Sequence, residues 1–206
     1  MLSQSVASEL REAISAGEFQ PGEQLSEVKA AERFNCSRNT LRESFTRLAA
    51  ERIVERIPNR GVFLATPDAD YIRDLFAARA AIEPAAVRWG AFADAPSLVT
   101  LTSSAFDYAA RGEHQEVSAI NQRFHRTLVA ALGSPTLNEQ MDNLLARMRL
   151  TFLLAIPRYP QLHADHIQGN ITLATLIADG KRREAATLAH DSLMNTCEKI
   201  LAVLDD

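Results

Sequence analysis

A hairpin signal placed directly behind three helical patterns constrains this chain more than any other feature. The runs Ile53-Val54-Glu55-Arg56-Ile57 and Val62-Phe63-Leu64 flank Pro58-Asn59-Arg60-Gly61. β-Branched or aromatic runs around an Asn/Gly turn read as a hairpin. Upstream, Val6, Leu10, Ala13 and Ile14 recur at helical spacing, which predicts a helix over residues 3–16 ended by Gly17. Pro21-Gly22 marks a turn. Ser26 can cap a second helix running to Phe34, with Leu25 placed to staple onto it. Asn35 tolerates the left-handed backbone that a tight helix–helix turn requires.

Ser37 caps a third helix, whose buried stripe is Leu41, Phe45 and Leu48. Asn39, Arg42 and Thr46 fall on the opposite face, and Arg38 projects from the first turn. Helix, short turn and polar-faced helix together have the spacing of a helix-turn-helix, whose second helix enters the major groove by its first turns. Arginine there can bond guanine O6 and N7 together, and asparagine can do the same for adenine. Arg60 at the hairpin tip, beside Gly61, suits phosphate or minor-groove contact. Residues 1–66 are therefore expected to form a winged helix-turn-helix that binds double-stranded operator DNA.

The net charge of −4 over 206 residues looks unpromising for a nucleic-acid binder. Its distribution matters more. Residues 1–66 hold nine Lys/Arg and nine Asp/Glu, whereas seven arginines face only three glutamates between Arg33 and Arg60. Phosphate binding responds to such a local patch rather than to the total.

Thr66-Pro67-Asp68 is a natural boundary, and no strand-like alternation follows it. Breaks at Asp94-Ala95-Pro96, Gly112, Gly133-Ser134-Pro135, Pro157 and Asp179-Gly180 divide residues 67–206 into six helical segments. They span roughly 70–92, 96–111, 114–132, 135–156, 160–178 and 181–204. The expected fold is mainly α: the winged head followed by an all-helical bundle, which places ligand sites between inward-facing side chains.

The first of these helices breaks its own pattern. Arg79 and Glu83 sit within the stripe formed by Ile72, Leu75, Phe76, Ile82 and Ala86. A buried arginine must find a counter-charge. Glu83, one turn away, can be a purely structural partner. Arg79 can also face a cavity and bind an effector carboxylate bidentately. Pro84 removes the hydrogen bond to Ala80, so a kink is expected there. On the third helix of the bundle, Asn121 and His125 lie four apart along the Val117/Ile120/Phe124/Leu128 stripe. A lone histidine on an apolar face is more often a hydrogen-bonded core residue than a ligand.

The run from Gly17 through PGEQLSE, CSRNTLRESFTRL and RIPNRGVFLA resembles the DNA-binding domain of the GntR family of regulators. RDLFAARAAIEPAA resembles the first effector helix of its FadR-type subgroup, which carries an all-helical FCD effector domain. The resemblance spans essentially the whole chain. It implies operator contacts from Arg38, Asn39, Thr40 and Arg42, and minor-groove contact from Arg60-Gly61. Val28 and Lys29 stand where some relatives place a further arginine.

In many similar proteins an Asp-x-x-Phe-His pattern supplies two ligands for a divalent metal of the zinc or nickel type. Two histidines on the last two helices complete that site. Here Asn121 replaces the aspartate and keeps an oxygen donor without its charge, while His125 matches the pattern. Apolar periodicity aligns Asn170 and Ser192 to the remaining positions. His166 and His163 precede Asn170 on the same stripe, and either can point inward. His190 lies on nearly the opposite face from Ser192; if His166 and His190 were the ligands, the hairpin between them would need a two-residue insertion. The residues expected to bind a small organic acid effector are Arg79, Asn121, His125, His166, Asn170 and Ser192.

The resemblance also implies a homodimer gripping a roughly palindromic site. Hydrophobic residues at 47% and charged ones at 23% are ordinary for a globular protein. The apolar stretch Leu150–Ile156 is far below the roughly 20 residues of a membrane span. No signal pattern opens the chain, and Cys36 and Cys197 form no disulfide or zinc framework, so the expected location is cytoplasmic. Two other readings are an architectural DNA-binding dimer with no effector, and an enzyme. The second finds no nucleophile–base pair, phosphate loop or complete metal triad in the sequence.

Overall fold

The computed structural model describes residues 2–205, with side chains from residue 5. Its contacts divide the chain into two compact units: residues 1–68 with 145–154, and residues 69–144 with 155–206.

The first unit contains α1 (Leu2–Ser15), β1 (Gln24–Leu25), α2 (Glu27–Arg33), α3 (Arg38–Ala50), β2 (Val54–Ile57) and β3 (Gly61–Leu64). Leu10, Ile14, Leu41, Phe45, Leu48, Ile53 and Leu64 are fully buried and hold these elements together. Both predicted caps form: Ser26 Oγ accepts from the Lys29 amide at 3.4 Å, and Ser37 Oγ accepts from the Thr40 amide at 3.1 Å. Between the two helices Asn35 adopts φ 44°, the left-handed turn its side chain tolerates. Arg11 of α1 grips both oxygens of Glu51 at 2.7–3.2 Å, which ties α1 to the residue that ends α3.

The hairpin pairs β2 with β3 antiparallel, with Ile57 opposite Gly61, and its tip turns through Asn59 (φ 60°) and Gly61 (φ 111°). A third strand, β1, completes the sheet in the order β1-β3-β2. Leu25, expected only to staple α2, instead pairs opposite Val62. A strand of two residues has no alternation to betray it.

The second unit holds α4 (Ala69–Trp89), α5 (Ala95–Ala110), α6 (His114–Ala130), α8 (Leu162–Ala178) and α9 (Arg182–Asp205), with the first half of α7 (Pro135–Ala155), whose residues 145–154 belong to the first unit. These are the six helices expected after the boundary. Within this unit α4 packs along α9, α5 against α6 and α8, and α6 against α4 and α8. Val87, Leu98, Phe124, Leu128, Leu173, Ala174, Ile177, Ala185 and Ala189 meet in one core drawn from five helices. α4 continues as helix on both sides of Pro84. Its far end is capped from α9: Arg182 donates to the carbonyls of Val87 and Gly90 at 2.9 and 2.8 Å. Among the described residues, no helix is long and apolar enough to cross a membrane.

Candidate DNA-binding face and effector cavity

α3 buries Leu41, Ser44, Phe45 and Leu48, which leaves Arg38, Asn39 and Arg42 exposed on the outer side and Thr40 half-buried. Thr40 is engaged at the helix start, its hydroxyl 2.8 Å from that of Ser37. Arg42 pairs with Glu27 of α2 at 3.0 Å and remains exposed, so a nucleic-acid base would compete with a solvated ion pair. Arg56 of β2 donates to the Arg42 carbonyl at 2.6 Å and to Thr46 Oγ1 at 2.8 Å. The hairpin is thereby fastened to the outer side of α3, and Thr46 is occupied by protein. Arg60 is exposed at the tip, its guanidinium 5.5 Å from the Phe63 ring centre, while its carbonyl accepts from Gln24 Nε2 at 2.8 Å. Gln24 is a contributor that the sequence reading missed, because β1 itself was missed.

Within the helical unit α4, α6, α8 and α9 enclose a cavity of about 120 Å³. Arg79, Glu83, His125, His166, Asn170 and Ser192 all line it. At about 10–15 Å³ for each water-sized occupant, it has room for roughly ten heavy atoms. Arg79 and Glu83 are almost completely buried. Arg79 Nε donates to Glu83 Oε1 at 2.6 Å, and His125 Nδ1 donates to Glu83 Oε2 at 2.6 Å. One carboxylate thus orients both a guanidinium and an imidazole at the cavity wall. Burial alone would push Glu83 up, but the Arg79 charge and His125 outweigh it and hold the group down at about 2.

His166 donates from Nδ1 to the Leu162 carbonyl at 2.5 Å, and its Nε2 lies 3.4 Å from Thr196 Oγ1. Burial, together with the nearby His125, Arg79 and His163, lowers it to about 4 against the backbone bond. His166 is therefore a neutral imidazole at neutral pH.

Asn121 is buried beside the cavity rather than on its wall; its Oδ1 accepts from Asn170 Nδ2 at 2.7 Å. It lines a smaller adjoining space of about 10 Å³, together with His163 and His166. His163 stacks on His114 with ring centres 6.2 Å apart and does not line the larger cavity. His190 is exposed and bonds Asp191 at 3.0 Å, away from the cavity.

These residues do not fit a divalent ion. Asn121 has given its oxygen to Asn170 and Ser192 is an exposed neutral hydroxyl, so although the His125 Nδ1 bond to Glu83 is one that metal-bound histidines also make, the other expected donors are spent or weak. Among the described residues, no group of three or more His, Cys, Asp or Glu side chains is placed to hold a metal. The expected metal pair of His125 and Asn121 thus supplies one imidazole and one engaged amide, short of the three or four protein ligands that hold zinc.

Two family patterns match the chain: bacterial regulatory proteins of the gntR family over residues 2–64, and the FCD domain over residues 74–195. The Nta operon transcriptional regulator of Aminobacter aminovorans is 26% identical over 90% of this chain and 88% of its own. The transcriptional repressor GlaR of Escherichia coli K12 is 28% identical over 88% of each. A crystal structure from Rhodococcus sp. RHA1, assigned as a GntR transcriptional regulator, superposes with a TM-score of 0.82 at 29% identity, covering 97% of both chains.

Proposed function

The chain belongs to the GntR family of DNA-binding transcription regulators and carries its FCD domain, and on that footing we propose that it is a repressor released or recruited by a small organic acid. The observation that carries the effector half is the buried Arg79–Glu83–His125 cluster on the wall of a cavity large enough for a small molecule. A cavity of mostly apolar lining on which a few charged and polar groups converge is the form a small-molecule site takes. The acid's carboxylate takes its charge complement from Arg79, with His125, His166, Asn170 and Ser192 around it and Asn121 bracing Asn170.

For the DNA half, Arg38, Asn39, Thr40 and Arg42 read bases from α3, and Arg60-Gly61 engage the minor groove. The exposure of Arg38, Asn39 and Arg42 on a capped, wing-braced helix, and of Arg60-Gly61 at the hairpin tip, supports this reading. Two copies of the chain bind one roughly palindromic operator as a homodimer. The acid acts by binding one operator-affinity state better than the other, and can shift the population only by that difference. GlaR is named a repressor, which supports the sign of regulation.

The test is a gel shift on DNA from the chain's own promoter region, with and without a panel of organic acids. Acid-dependent movement of the binding curve is expected for the natural chain. Arg79→Ala should keep the DNA affinity and lose the acid response. Retention of the response in that variant would make Arg79 structural.

A further inference from the structure

The same cavity has a second polar end. Tyr159 in the turn before α8, Asp165 in its first turn and Lys199 on α9 converge there, and all three line the cavity. The Tyr159 hydroxyl and the Lys199 ammonium both donate to Asp165 Oδ2, the latter at 3.3 Å. Asp165 and Lys199 have side chains 43% and 47% exposed, against 2% for Arg79, so this end is the mouth and Arg79 the floor.

Resting on the reading of Arg79 as the carboxylate anchor, we propose that Tyr159, Asp165 and Lys199 form a second recognition point that selects acids with hydroxyl groups along the tail. Neither bond at the mouth uses Asp165 Oδ1, which can accept from a ligand hydroxyl. Lys199 has further ammonium hydrogens to give. A hydroxyl both donates and accepts, so it satisfies both partners at once. A second carboxylate would meet Asp165, whose charge already answers that of Lys199. A bare alkyl tail would strip water from both groups and return no hydrogen bond. Ser192, Asn195 and Thr196 line the same cavity as Leu173 and Leu193, a mixed lining suited to a chain of hydroxylated carbons. The Tyr159 bond and Lys199 hold Asp165 below the usual carboxylate range, and Asp165 in turn pushes Lys199 up, so both stay ionised at neutral pH.

Isothermal titration of the full chain with two matched series tests this. One series is threonate, xylonate and gluconate; the other is butyrate, pentanoate and hexanoate. At least one hydroxylated acid should bind, with its alkyl counterpart weaker by roughly tenfold or more. Lys199→Met, at an exposed position, should narrow that gap while sparing the alkyl acid. Alkyl acids that bind as well as the hydroxylated ones would overturn the mouth site and leave the Arg79 anchor standing. Failure of every acid in both series would overturn the anchor and the mouth together.

Discussion

Glu83 takes a hydrogen bond from His125 Nδ1 at 2.6 Å while its other carboxylate oxygen takes one from Arg79 Nε at the same distance. The carboxylate is 1% exposed, so it answers a buried guanidinium from inside the helical core. Glu83→Ala should therefore cost about 3–5 kcal/mol, since removing one partner leaves a buried charge uncompensated. Urea denaturation of the variant gives the figure. A loss below about 1 kcal/mol would mean that water or another group already satisfies Arg79.

Acid should weaken the fold in two stages. His166 is lowered from 6.5 to about 4 and Glu83 from 4.5 to about 2, so both bind protons less readily folded than unfolded. Their contributions are complete above the unfolded values and are lost as pH falls. The decline should begin below pH 6.5 through His166 and continue below 4.5 through Glu83. Thermal midpoints at descending pH check the order, and His166→Gln should remove the upper stage. A midpoint that stays level between pH 7 and 4.5 would contradict the His166 assignment.

The winged head was legible because its signals are local: Ser26, Asn35, Ser37 and Gly61 each act within a few residues. β1 was not, because Leu25 pairs with Val62 across the chain and needs the folded sheet to declare itself. The Arg79–Glu83 pair could be read from helical spacing, but its third member, His125, is 42 residues beyond Glu83. Periodicity left His190 open as an alternative to Ser192, where the structure has His190 exposed and Ser192 and Asn170 lining the cavity, and it gave no hint that Asn121 spends its oxygen on Asn170. Asp165 and Lys199, 34 residues apart, carry no motif at all; only the packing of α8 on α9 brings them together.

On α3, Arg42→Ala should weaken specific operator binding by about 1–3 kcal/mol, the range for one bidentate base contact. Its pair with Glu27 is exposed, so the thermal midpoint should barely move. Gel shifts on the natural operator and on unrelated DNA separate the outcomes. Equal losses on both would mark Arg42 as a phosphate contact; no loss on either would remove it from the interface.

Gly169 offers a change that separates stability from binding. It lies within α8 and lines the cavity, and a Cβ built on it meets no atom within 4 Å. Gly169→Ala should therefore stabilise the free protein by about 0.5–1 kcal/mol, because alanine loses less backbone freedom in a helix. The added methyl occupies space that a ligand would use, so the thermal shift produced by a bound hydroxy acid should shrink. Differential scanning fluorimetry with and without gluconate reads both effects in one experiment. A higher midpoint with an undiminished ligand shift would place the bound acid away from α8, and a lower midpoint would mean that the glycine is needed by the helix itself.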